Sequence, residues 1–386
     1  MWRGLASNML TVLVVGMFLA AGLVIWGQAQ YTAEGPLDSP ICLRVERGSN
    51  MTRVSQDLQE KGAVTSATVF RMGAEYADKS QQLKAGSFLV REGSSMEQIV
   101  EGITKGGAST CGTEIVYRIG VSRNQTLVRE LDPATLDFVE VASFNPAEEE
   151  TPSAYSEKRA ERDTRYRIAM AEGVTVWQVV EALKGIDVLA GEVSELPAEG
   201  MLAPDSYEVT SNTDRTEVLE MMQQKQQARV NAIWENRQDG LPLDSPEEML
   251  ILASIIEKET GVPQERRQVA SVFVNRLNRG MKLQTDPTVI YGVTKGQGSL
   301  GRGLRRSELR RATPFNTYLI DGLPPTPIAN PGPASLEAAV APDETEFVFF
   351  VADGTGGHAF AETLQEHNRN VAKWREIEAQ QQDSGN

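Results

Sequence analysis

Two carboxylates close an apolar stretch at Leu252 to Gly261, which reads Leu-Ala-Ser-Ile-Ile-Glu-Lys-Glu-Thr-Gly. A carboxyl at the end of an apolar surface is partly desolvated, which disfavours its charged form and lifts its pKa above about 4.3. Such a group serves as a general acid near neutral pH. At about 100° per residue, Leu252, Ile255, Ile256 and Glu259 fall on one stripe, and Glu257 lies opposite with Leu250, Ala253 and Ser254. Glu259 therefore extends the bulky stripe. A solvated helix end, with Lys258 neutralising both glutamates, fits the same residues, and periodicity alone leaves both readings open.

Two further polar groupings follow. Gln284, Thr285 and Asp286 precede Pro287 between apolar runs and offer a compact set of donors and acceptors. Ordinary turn capping by Thr285 and Asp286 is the plain alternative. Asn316, Thr317 and Tyr318 precede the turn-rich run Gly322 to Pro333, where a structural loop is the alternative. His358 follows the hairpin turn, where it can line the cleft, although a lone histidine in such a place is usually structural.

The elements that must hold these residues have clear start and stop signals. Ser245, with Pro246 behind it and Glu248 three residues on, predicts a helix start, and Gly261 with Pro263 ends that helix. Val269, Val272, Phe273 and Leu277 predict a second helix packed on the first, with Arg276 and Arg279 near the cleft. Phe347 to Val351 reads as a buried strand turning at Asp353 to Gly357. Asp214 and Glu217 open a polar helix that runs to Trp234 and ends near Gly240. Lys373 to Asn386 reads as a polar, disordered tail without periodicity.

Toward the N-terminus the signals concern placement. Met9 to Gly27 is a nineteen-residue apolar run without a charge, long enough to cross a bilayer as a helix. Arg3 puts its start in the cytoplasm and the rest of the chain outside. A cleaved signal peptide with Gly27 and Ala29 at its site is the rival, and the length favours an anchor. After a linker at Tyr31 to Ser39, a motif repeats: Arg47-Gly48-Ser49-Asn50-Met51, Glu92-Gly93-Ser94-Ser95-Met96 and Glu172-Gly173-Val174-Thr175-Val176. Each follows a short strand-like run and opens a helical pattern, so the unit is strand, tight turn, N-capped helix. Between the second and third copies, Glu114 to Ile119 and Leu136 to Val141 read as strands, and Phe144 to Asp163 as an exposed, charged loop.

A formal charge of -15 spread without a basic face excludes nucleic acid as a partner. Two histidines and two cysteines without ligand spacing argue against a metal site. In an oxidising compartment Cys42 and Cys111 can pair across the first soluble unit, with two separate buried thiols as the alternative.

The run Ala253 to Thr260, then Val269 to Leu277, then Leu283-Gln284-Thr285-Asp286-Pro287-Thr288-Val289-Ile290-Tyr291-Gly292 resembles the YceG-like family of endolytic murein transglycosylases. Asn316-Thr317-Tyr318, Gly322-Leu323-Pro324-Pro325, Ile328-Ala329-Asn330-Pro331-Gly332 and Phe349 through Gly357-His358 to Phe360 extend the resemblance over about Ser245 to Asn368. The segment around Pro204-Asp205-Ser206-Tyr207 resembles the family's lead-in, with Leu202 and Ala203 where aromatics are more usual.

The resemblance implies an α+β architecture: residues 1–30 as cytoplasmic stub and transmembrane helix, 40–107 as a LysM-like β-α unit and 108–165 as an insertion. Residues 166–210 become a second LysM-like segment and lead-in, 211–372 the catalytic domain and 373–386 the tail. It implies Glu259 as the catalytic acid, with Glu257 as competitor for that role and otherwise a substrate contact. Gln284, Thr285, Asp286, Asn316 and Tyr318 would meet sugar hydroxyls, an acetamide and a ring face. The expected reaction cuts the MurNAc-GlcNAc β-1,4 bond of nascent strands into 1,6-anhydro ends and limits strand elongation, without a cofactor. Peptidoglycan strands, the bacterial inner membrane and penicillin-binding glycan synthases are the implied partners. A non-catalytic glycan-binding scaffold and a hydrolase using Asp286 as base are the rival expectations.

Overall fold

Strand, glycine turn and capped helix recur three times, as the repeated motif predicts. The computed structural model describes residues 2–105, 110–161 and 163–384. Helix α1 (Trp2–Thr32) leads into β1 (Ile41–Val45), α2 (Met51–Glu60), α3 (Ala67–Tyr76), β2 (Gly86–Val90) and α4 (Met96–Thr104). After β1, Gly48 turns the chain at φ 79° and Asn50 caps α2 through the Arg53 N–H at 2.9 Å. After β2, Ser95 and Gln98 form a reciprocal capping box on α4. The two strands pair antiparallel, Ile41 opposite Val90 and Val45 opposite Gly86. Leu43, Leu58, Phe70, Val100 and Ile103 fill the core between strands and helices.

Within α1, the 22 residues Thr11–Thr32 form one helix long and apolar enough to cross a membrane. The helix continues unbroken through Gly27 and Ala29, and Tyr31 enters the core against Gly73. Cys42 and Cys111 are disulfide-bonded, with Cα atoms 5.8 Å apart.

The segment expected as an insertion contains β3 (Thr113–Ile119), β4 (Gln125–Leu131), β5 (Phe138–Phe144) and α5 (Ser153–Ala160). The expected boundary at Gly107 and Ala108 lies outside the described residues. Strand β4 went unpredicted because its apolar residues Leu127 and Val128 are adjacent rather than alternating. The exposed loop expected at 144–163 is corrected in part. Tyr155 is buried and anchors α5, and Lys158 on that helix pairs with Glu130 and Glu161. A charged average conceals one aromatic anchor.

With β6 (Arg165–Met170) and β7 (Ser206–Val209), these strands form a five-stranded sheet in the order β5-β4-β3-β6-β7. Two compact units result. One holds the chain to Ile115 with Leu127–Ser143 and Thr151–Arg165, and the other holds Val116–Thr126, Phe144–Glu150 and the chain from Tyr166. The third motif copy, β6 with α6 (Val176–Gly185), lies in the second unit from Tyr166 on. Asn330 ties it there: its amide donates to the Val174 carbonyl at 2.8 Å and accepts from the Leu202 N–H at 2.9 Å.

The second unit continues with α7 (Arg215–Glu235), α8 (Pro246–Glu259), a 3-10 turn (Pro263–Glu265), α9 (Arg266–Asn278) and α10 (Asp286–Thr294). Then come α11 (Arg306–Leu309), α12 (Pro333–Val340), β8 (Phe349–Ala352), β9 (His358–Ala361) and α13 (Leu364–Ser384). Helix α8 starts as expected, with Ser245 accepting from the Glu248 N–H and Pro246 in the first turn.

Helix α8 is more enclosed than its stripe predicts: every residue from Met249 to Ile256 is buried. A helix apolar on all sides belongs in the middle of a core, and α8 packs on α7, α9, α10 and α12. Strands β8 and β9 pair antiparallel, Phe349 opposite Ala361 and Ala352 opposite His358. The tail is corrected: α13 runs to Ser384, and 385–386 lie outside the described residues. Val371, Trp374 and Ile377 recur at helical spacing on its half-buried side, and Ile377 packs over Gly354.

Candidate active site

Helix α8 ends with its two carboxylates on different neighbours. Glu257 Oε2 accepts from the Gly332 N–H at 3.0 Å and the Ser335 hydroxyl at 2.7 Å, so it caps α12 from outside. That position satisfies N-terminal N–H groups and faces the positive end of the helix dipole. Lys258 does not bridge the two glutamates; its ammonium donates to the Gly173 carbonyl at 3.2 Å. Burial pushes the Lys258 pKa down.

Glu259 turns toward α10. Its Oε1 accepts a hydrogen bond from the Thr285 hydroxyl. Burial pushes its pKa above the ordinary carboxyl value; the Thr285 bond opposes that, the Asp286 charge adds to it, and His358 and Arg276 oppose it. Desolvation dominates because the carboxylate loses water that one hydroxyl does not replace.

Two threonines, Thr288 and Thr317, fix Thr285. Its N–H donates to Thr317 Oγ1 at 3.1 Å, and Thr288 Oγ1 lies 2.9 Å from the same oxygen and donates to the Thr285 carbonyl. Thr285 is the N-cap residue of α10 but makes no side-chain cap bond, so its hydroxyl is free for Glu259. Asp286 is exposed and accepts from the Tyr318 hydroxyl at 2.7 Å. Burial and the Asp286 carboxylate push the Tyr318 pKa up, which keeps the phenol a donor. Gln284 is exposed with a left-handed backbone, φ 48°, and its N–H donates to the Thr317 carbonyl.

Four expected site residues thus cluster: Glu259, Thr285, Asp286 and Tyr318, with Gln284 at the edge. Two other candidate residues have their polar atoms engaged elsewhere. Asn316 is fully buried, donates to the carbonyls of Glu308, Leu309 and Arg311, and accepts from the Tyr318 N–H, so both ends of its amide are engaged within its own loop. Glu257 is engaged by α12 and stands apart from the Thr285 cluster.

Arg276 lies behind the site: its guanidinium donates to the carbonyls of Val348 (2.7 Å) and Leu283 and sits over the Phe349 ring. Arg279 instead pairs with Glu346 at the surface. The sequence showed Thr317 as part of a polar grouping but not as the support of Thr285, and it did not point to Glu265. The three threonines at 285, 288 and 317 were the visible signal for the first, and none preceded the second. Among the described residues no group of three or more His, Cys, Asp or Glu is placed to hold a metal ion.

The profile of the YceG-like family matches residues 43–373. The chain belongs to this family. Over 339 residues it is 27% identical to an endolytic murein transglycosylase of Bacillus subtilis strain 168, covering 86% of this chain and 84% of the relative. Over 343 residues it is 26% identical to an endolytic murein transglycosylase of Streptococcus pneumoniae D39, covering 86% of this chain and 58% of that longer protein. A crystal structure of a yceG-like protein from Listeria monocytogenes aligns with a TM-score of 0.46 at 22% identity, over 86% of this chain and 99% of that one. Asp286 follows Thr285 directly, so this YceG-like chain sets a second, exposed carboxylate next to the residue that bonds Glu259.

Proposed function

We propose that this YceG-like chain is an endolytic lytic transglycosylase that cuts the MurNAc-GlcNAc β-1,4 bond within nascent peptidoglycan strands and so limits their length. The observation that carries the reading is Glu259: one half-buried carboxyl, raised in pKa by desolvation and oriented by the Thr285 hydroxyl. Protonated, Glu259 delivers its proton to the oxygen leaving C1 of the MurNAc unit. As the conjugate base it takes the proton from the C6 hydroxyl of that same sugar, which closes onto C1 as a 1,6-anhydro bridge. The proton account closes and no water enters. Because the nucleophile is already part of the substrate, proximity supplies much of the advantage. Asp286, engaged by Tyr318, shapes the site without attacking.

The names carried by the Bacillus and Streptococcus relatives support this reading. The unbroken course of α1 through Gly27 and Ala29 favours an uncleaved inner-membrane anchor, with the bulk of the chain outside the cytoplasm. On this reading the β1-to-β2 unit, LysM-like in its strand and helix order, holds glycan beside membrane-bound synthases.

The test is mass spectrometry of fragments released from purified uncrosslinked glycan strands by the full chain in detergent. Products one water lighter than hydrolysis products establish the 1,6-anhydro route. Hydrated reducing ends would make Asp286 a base in a hydrolase, and no fragments would leave a binding scaffold.

A further inference from the structure

The chain's charge of -15 conceals one basic segment. Residues 295–311 hold Lys295, Arg302, Arg305, Arg306, Arg310 and Arg311 against a single carboxylate, Glu308, a net of +5. The expectation of a charge spread without a basic face is corrected: acidic residues elsewhere mask this segment in the total. All six cations are exposed. Glu308 is already committed within the segment. The Arg302 guanidinium donates to both of its oxygens, at 2.9 and 2.6 Å, and the Arg305 N–H donates to Oε2 at 2.8 Å. Arg306, Arg310 and Arg311 make no side-chain hydrogen bond and no ion pair among the described residues. Arg306 opens α11 and Arg310 closes it four residues on, a spacing at which like charges repel.

Asn316 ties this segment to the active site. Its amide donates to the Arg311 carbonyl at 2.8 Å and accepts the Tyr318 N–H at 3.1 Å, so the arginine segment and Tyr318 meet on the two ends of one side chain. The Tyr318 hydroxyl reaches Asp286 at the start of α10, and α11 packs against α10. The uncompensated arginines therefore stand on backbone pinned to the cluster that holds Glu259.

We propose that Arg306, Arg310 and Arg311 bind the terminal carboxylates of the peptides carried by uncrosslinked peptidoglycan strands, and so make the chain specific for strands that bear peptides over bare glycan. The inference rests on the reading of the chain as a peptidoglycan transglycosylase. The sugars of such a strand are neutral, and its charge lies in the peptide on each MurNAc unit, which ends in a free carboxylate when uncrosslinked. Arginine meets a carboxylate by planar two-point donation. An extended peptide covers about 3.3–3.6 Å per residue, so a stem of a few residues spans more than the one side chain that separates Arg311 from Tyr318. A chain acidic in total repels an anionic polymer, and a local cationic patch reverses that where the strand must lie.

The test uses two probes: end-labelled uncrosslinked strands with their peptides, and the same strands stripped of peptides by an amidase. Fluorescence anisotropy with the full chain in detergent, carrying Glu259→Gln so that strands stay intact, gives a Kd for each. Arg306→Gln, Arg310→Gln and Arg311→Gln combined should weaken binding of the peptide-bearing strands about tenfold, as three exposed ion pairs warrant, and leave binding of the bare strands as it was. Lysine at the same three positions should restore most of the loss, and added salt should weaken the arginine protein more than the glutamine one. Equal loss on both probes, or no loss on either, overturns the inference. Loss confined to binding of phosphatidylglycerol vesicles would assign the arginines to a membrane surface and overturns it too. Wild-type protein that forms no 1,6-anhydro ends would overturn the functional reading alone, because Kd is read without turnover.

Discussion

Thr285 occupies the N-cap of α10, yet its hydroxyl donates to Glu259 and not to its own helix. A capping bond is worth about 0.5–2 kcal/mol, so the bond to the carboxylate takes a group that the helix could use. The Thr317 and Thr288 hydroxyls hold the Thr285 backbone in place meanwhile. Thr285→Val keeps the shape and removes the donor. Turnover should fall by roughly tenfold, the equivalent of about 1.4 kcal/mol. Thr285→Ser should retain most of it. Equal rates for the valine and serine variants would show that the hydroxyl does not act on Glu259.

The two carboxylates of α8 should part company when each is replaced by its amide. Glu259→Gln should lose product formation while keeping the fold. Its stability should also change with pH in a set direction. A carboxyl whose folded pKa lies above 4.5 contributes stability that is complete below that value and lost as pH rises through the folded pKa. The glutamine does not titrate, so the variant should match wild type in acid and melt higher at about pH 8. Glu257→Gln should do the reverse. It weakens the cap on α12 and should cost about 1–3 kcal/mol, with activity lost only as far as the fold is. Thermal melts of both variants at two pH values check this, and a dead but fully stable Glu257→Gln would move the acid to that residue.

Local signals carried much of this fold. The Gly48, Gly93 and Gly173 turns, each with an N-cap residue two positions on, were readable because a left-handed turn and a cap need particular residue types. Ser245-Pro246 marked α8 for the same reason. What the sequence concealed were long-range partners. Asn316 looks like a ligand-binding amide until α11 and Arg311 just past its end bring three carbonyls to it. Glu257 and Glu259 are separated by the arrival of α12 on one side and α10 on the other, 75 and 26 residues along the chain. Helical periodicity records which residues share a face but not what each face meets.

Asn330 gives a stability test. Its side chain and backbone make four hydrogen bonds, with the Val174 carbonyl accepting twice and the Leu202 and Gly173 N–H groups donating. Asn330→Ala leaves a buried carbonyl and a buried N–H without their side-chain partner and should cost about 2–4 kcal/mol. Urea unfolding would measure it. Reduction of Cys42–Cys111, which closes a 69-residue separation, should cost a similar amount, about 2–4 kcal/mol. The two losses should register in different unfolding transitions if the two units unfold independently, since each defect lies within one unit.

Asp286 and Thr285 act on Glu259 in opposite senses. The Asp286 carboxylate pushes the Glu259 pKa up and the Thr285 hydroxyl holds it down. Asp286→Asn should therefore move the alkaline limb of the rate to lower pH, and Thr285→Val should move it to higher pH. The direction matters more than the size, because a hydrolase with Asp286 as base predicts something else: the asparagine variant would lose turnover at every pH, and the wild-type products would be hydrated. Tyr318→Phe sharpens the distinction. It frees Asp286 from the Tyr318 hydroxyl while leaving the carboxylate's charge, so on the single-acid route the limb stays near its wild-type position and the products keep 1,6-anhydro ends. A pH-rate series on the three variants, with product masses at each pH, decides between one working carboxylate and two.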